Sequence, residues 1–190
     1  RNYGSPIVRQ VNAASAPFFR SPPAGFCDTP LLTPRGSLTI APPDHEGGLA
    51  ELLSMSEPGE EISLIDPKDA CEMVPFLRQD RVGYAAFEAN VTDIDVANVH
   101  LSYLKGAKAR GATVLTKQTV KALSRQSDVW SVQTAKDTFS AAQIINAAGA
   151  WADQVGAMAV AEPIGLVPMR RTAIIINAPE GVQCAALPAV

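Results

Sequence analysis

The stretch Ile144-Ile145-Asn146-Ala147-Ala148-Gly149-Ala150-Trp151-Ala152-Asp153 leads an apolar run into small residues and then a Trp that opens a helix. Small residues let a backbone approach a large flat group, or let a strand and a helix pack closely. Two uses are open: a cofactor-binding edge, or the tight strand-to-helix turn of any α/β protein. Further along, the guanidinium of Arg171 offers a planar two-pronged donor that fits a carboxylate. On a strand, neighbours face opposite sides, so Arg170 and Arg171 cannot both serve one site. The plain alternative is that both are solvated at a strand start. Asp93 and Asp95 could act as paired carboxylates, but with no partner in view helix entry and capping is the preferred reading.

Other chemistries are excluded or weak. Cys27, Cys71 and Cys184 are odd in number, far apart and without metal-ligand spacing. They read as reduced, structural thiols of a cytoplasmic protein, with no neighbouring His or cationic cluster to activate them. His45 and His100 are too few and too distant for a His-based metal site. With a net charge of −3 and scattered Lys and Arg, the chain has no nucleic-acid footprint. No apolar run approaches the roughly 20 residues that span a bilayer. At 190 residues, 47% hydrophobic and 18% charged, the composition is globular, with one domain or parts of two. The chain begins at Arg1 without an initiator Met or signal-peptide pattern and stops at Leu187-Pro188-Ala189-Val190, just after a predicted strand; the expectation is a fragment.

The elements that must position these residues alternate, which gives a mixed α/β class. Helical periodicity runs over 5–19, and Ser21-Pro22-Pro23-Ala24-Gly25 ends it. A strand is predicted over 36–41, a short helix over 48–56, and a helix capped by Asp66 with Pro67 in its first position. A strand over 81–88 follows. The clearest helix has Asp95 as N-cap and stops at Gly111. Strands are then predicted at 112–115, 119–124, 129–134, 138–140 and, as a buried one, 143–146. A helix over 150–160 and an apolar β run within 166–177 close the pattern. Trp151 reads as a packing residue at its helix start.

One order of segments carries a resemblance. A helix ending Ala-Arg-Gly-Ala, a strand, a β meander, the Asn146-Ala147-Ala148-Gly149-Ala150-Trp151 turn and Pro168-Met169-Arg170-Arg171-Thr172 occur in that sequence. Tyr3-Gly4, Ala16-Pro17-Phe18-Phe19, Pro22-Pro23-Ala24-Gly25-Phe26, Pro30-Leu31-Leu32-Thr33-Pro34-Arg35 and Asp93-Ile94-Asp95 accompany them. Over nearly its whole length the chain resembles the FAD-dependent D-amino-acid oxidase, sarcosine oxidase and glycine oxidase superfamily. Within it, the chain resembles in particular the bacterial D-amino-acid dehydrogenases of the D-arginine dehydrogenase type.

The resemblance implies a glutathione-reductase-like, Rossmann FAD domain and a substrate domain with a mixed sheet. It assigns 1–35 to the FAD domain, 36–94 to the substrate domain, 95–162 to the FAD domain and 163–190 to the substrate domain. No Gly-x-Gly-x-x-Gly turn occurs in the chain, and the resemblance places that turn upstream of Arg1. It implies oxidative deamination of a D-amino acid, with hydride passing from the α carbon to flavin N5. The fragment is expected to be inactive alone. The alternatives are oxidation of a sarcosine- or glycine-type amine, or a non-catalytic truncated chain. The substrate is then a small-molecule amino acid, with no nucleic acid or transmembrane segment involved and the electron acceptor left open.

The resemblance also assigns roles. Arg171 would hold the substrate carboxylate, and Tyr3 would close over the ligand from a loop. Val120 would offer backbone bonds to adenine, and Ala147, Ala148 and Gly149 would run beside adenosine and pyrophosphate. At Ser37 the chain departs from the D-arginine type, which carries an acid there. A hydroxyl without charge turns the expectation towards a neutral or smaller D-amino acid. Glu88, on a different predicted strand, is not read as a substitute.

Overall fold

The computed structural model describes residues 5–45, 47, 50, 53, 62–178 and 180–190. They fall into two compact units, 1–112 with 177–190, and 113–176. The short helix predicted over 48–56 falls almost wholly outside the described residues.

In the first unit, helix α1 (Pro6–Arg20) starts with Pro in its first turn, where the missing N–H costs nothing. Its Phe18 ring joins Phe26 and Tyr103 in a cluster with centroids 4.9–6.1 Å apart. Strands β1 (Leu32–Pro34) and β5 (Thr92–Ile94) form a two-stranded antiparallel ribbon. Strands β2 (Ser37–Ala41), β3 (Ile62–Ile65) and β4 (Tyr84–Glu88) make an antiparallel sheet with β4 central. A central strand covered on both sides has little room, and β4 places Ala85 and Ala86 there, each 1% exposed. Helix α2 (Pro67–Met73) is capped by Asp66, whose carboxylate accepts from the Lys68 N–H at 2.8 Å. Its Ala70, with Val74, joins Leu38, Val82 and Ala85 in the core.

Helix α3 (Val96–Ala109) begins at the expected cap: Asp95 accepts from the Asn98 N–H at 2.9 Å. Asp93 pairs with Arg35 at 2.7 Å. The two carboxylates therefore serve helix entry and an ion pair. The helix ends before Gly111, at φ +86°.

In the second unit, β6 (Val120–Gln126), β7 (Val129–Thr134) and β8 (Thr138–Ala141) form the predicted antiparallel meander. A 3-10 turn (Gly149–Trp151) leads into α4 (Ala152–Met158), which packs beside β6.

Three strand predictions differ from the structure. Residues 112–115, 143–146 and 166–177 carry no strand ladder among the described residues. Ile145, Ile174, Ile175 and Ile176, written for burial, are 77–98% exposed. A strand exists only through its neighbours' N–H and C=O groups, and no described strand pairs with these runs. Trp151 is likewise exposed at 64%.

Candidate functional site

The turn after the apolar run is held by one side chain. The Asn146 amide donates to the Ala152 carbonyl at 2.8 Å, and its Oδ1 accepts from the Ala148 N–H at 3.2 Å. Asn at such a position closes a local ring that mimics a backbone turn. Gly149 follows at φ +57°, with nothing within 4 Å of where a Cβ would stand. Its conformation favours glycine, and the space beside it is open. Ala147 and Gly149 are exposed and Ala148 is half-buried. Among the described residues no acceptor meets the N–H groups of Ala147, Gly149 or Ala150. Small side chains, open space and free donors fit a flat or phosphate-bearing group such as FAD.

Val120, the first residue of β6, is half-buried beside the bulge that separates it from Ala122. Its register partner Thr134 is fixed by polar bonds. The Thr134 hydroxyl donates to Gln118 Oε1 at 2.7 Å and accepts from the Asp137 N–H at 3.0 Å. The Gln118 amide donates to Asp137 Oδ2 at 2.7 Å.

Arg171 also belongs to the second unit, on an exposed stretch without regular structure. Neither Arg170 nor Arg171 has an ion-pair partner among the described residues. The Arg171 side chain is exposed there. Asp153, in the first turn of α4, accepts from the Ile164 N–H at 3.0 Å and the Leu166 N–H at 2.8 Å. Neither Asn146 nor Asp153 stood out in the sequence as a tie. An Asn next to small residues was a readable turn signal for the first; the second spans too many residues to leave one.

Ser37 lies in the first unit, half-buried at the start of β2. Ala189 lies beside it as a parallel bridge, with Leu38 N–H donating to Ala189 O at 2.7 Å and Ala189 N–H to Gly36 O at 3.1 Å. Glu88, set aside because it is on another strand, is the residue directly opposite Ser37 in the β2–β4 register. Opposed residues on an antiparallel pair share one face with Cβ atoms about 5 Å apart, so an acid does stand next to this position. Tyr3 lies outside the described residues.

No disulfide joins the cysteines, and among the described residues no group of His, Cys, Asp or Glu could hold a metal. No described helix is long and apolar enough to cross a membrane.

Comparison with known proteins adds to this geometry. Human mitochondrial dimethylglycine dehydrogenase is 31% identical over 115 residues, which are 60% of this chain and 13% of that one. In fold the chain is similar to glycine oxidase from Geobacillus kaustophilus, with TM-score 0.65 and 21% identity over 83% of this chain and 44% of the other. It is also similar to L-amino acid deaminase from Proteus vulgaris, with TM-score 0.62 and 17% identity over 82% and 38%. The chain thus spans less than half of each of these proteins. The family model of FAD-dependent oxidoreductases matches residues 6–189. The mixed α/β architecture agrees with that match, and the chain belongs to the FAD-dependent oxidoreductase family.

Proposed function

We propose that the protein oxidises the carbon–nitrogen bond of a small amino acid, and that this chain supplies part of the cofactor cradle and the carboxylate anchor. A flavin, when bound, would accept the hydride from the carbon that bears the amine; with loss of a proton from the nitrogen this leaves an imine, which water would hydrolyse with release of ammonia or an amine. The chain's residues bind and orient. Ala147, Ala148 and Gly149 leave room beside the adenosine and pyrophosphate, and Val120 offers backbone groups to adenine. Arg171 takes the carboxylate bidentately, which fixes the reacting carbon relative to the ring. Tyr3 and Ser37 keep the substrate-binding roles that the resemblance assigns to them. In this reading 36–94 and 163–190 belong to the substrate domain, and 1–35 and 95–162 to the FAD domain.

The observation that carries the proposal is the family match over residues 6–189 together with the open, Asn146-braced turn. Within the class, deamination of a D-amino acid is the finer reading, supported by the Pro22–Phe26 and Arg170–Ala173 segments. Oxidation of an N-methylated glycine is the second, favoured by the relationship to dimethylglycine dehydrogenase. Anaerobic addition of D-amino acids, their L forms, sarcosine and dimethylglycine to the flavin-loaded protein decides between them. Bleaching of the flavin band by D-amino acids alone establishes the first, and bleaching by the N-methylated compounds alone the second. A protein bleached by none of them is not an amine oxidoreductase of this kind.

A further inference from the structure

We infer that Asp153 is a positioning residue for Arg171: its carboxylate ties the segment that carries the arginine to the helix that follows the Ala147–Gly149 turn. This rests on the reading of Arg171 as the carboxylate anchor. Residues 162–176 form neither helix nor strand, and all of them are exposed. Among the described residues, the bonds from Ile164 and Leu166 to Asp153 are the only hydrogen bonds that this stretch makes. Each carboxylate oxygen takes one N–H, so the segment is held at two points and in one direction. Bonds to an ionised acceptor are shorter and stronger than neutral ones.

The geometry sets what the tie does. Leu166 is five residues from Arg171, a reach of at most about 18 Å for an extended chain. Without the carboxylate, the nearest hydrogen-bonded residue upstream is Ala161, whose N–H bonds the Gly156 carbonyl at 3.0 Å. Ten residues then separate it from Arg171, and the reach doubles to about 35 Å. At the start of the same helix, Asn146 holds the Ala152 carbonyl at 2.8 Å. Asp153 is the next residue. The small-residue turn and the arginine segment are therefore fastened at adjacent positions of α4, which links the place of the cofactor to the place of the carboxylate. A first-turn acid also favours the helix end electrostatically, and that role alone would not require two bonds 11 and 13 residues away.

The test uses the flavin-loaded protein with acetate as the carboxylate probe, read from the shift of the flavin band. D153A is expected to weaken acetate about tenfold and D153N about threefold, since asparagine keeps one acceptor; displacement of a binding group costs factors of this order. FAD affinity should stay within twofold, and amide exchange at Ile164 and Leu166 should accelerate. Acetate binding unchanged in both variants, with exchange accelerated, would overturn the inference and leave Asp153 a purely structural tie. R171A separates the two claims. If R171A abolishes the acetate shift while D153A and D153N do not alter it, only the Asp153 inference fails. If R171A leaves acetate binding intact, the reading of Arg171 fails and this inference with it.

Discussion

Asn146 and Ala152 are joined by a 2.8 Å hydrogen bond that spans the small-residue turn, and the same Asn side chain accepts from Ala148 inside it. One residue therefore sets the shape of the loop from both ends. N146A removes both bonds and should cost about 1 kcal/mol of stability, the usual size for an exposed local hydrogen bond. N146D retains the acceptor for Ala148 and should cost less. Thermal melts of the two variants check the order. In the proposed function N146A also weakens FAD, and a Kd within twofold of the parent would remove Asn146 from the cofactor cradle.

Val160 sits at φ +56° just past α4, where the chain usually places glycine. It is 94% exposed, so no packing holds a β-branched residue in that conformation. V160G should raise stability by about 0.5–1 kcal/mol, because relief of strain exceeds the added freedom of the unfolded chain. A melting temperature unchanged or lowered would contradict this.

Gly83 opposes the backbone of Pro43, and a Cβ there would stand 2.3 Å from Pro43 Cα. The same glycine donates its N–H to the Ala41 carbonyl at 2.9 Å, which fixes the entry to β4. Backbone cannot rotate away as a side chain does. G83A should destabilise by about 2 kcal/mol or more, visible as a lower denaturant midpoint.

The Ser37–Glu88 pair bears on substrate choice. If Ser37 lines the side-chain pocket, Glu88 across the strand supplies negative charge to the same face. E88Q should then lower kcat/KM for amino acids with cationic side chains about tenfold relative to neutral ones. An unchanged ratio would place Glu88 outside the pocket, and S37A would show whether Ser37 belongs to it.

Much of the local structure was legible in the sequence because it is made of local bonds. Asp66 with Pro67, and Asp95 with the apolar face behind it, announce helix starts that each side chain completes within three residues. The meander was readable for the same reason: short alternating strands pair with their immediate neighbours. The small-residue turn announced itself by composition alone. The sequence could not say that 112–115, 143–146 and 166–177 would be left without ladders, since a strand's hydrogen bonds belong to whatever lies beside it. Nor could it bring Glu88 opposite Ser37, or carry Ile164 and Leu166 to Asp153. Those relationships depend on register and chain reversal over 11 to 51 residues, and only the tertiary structure decided them.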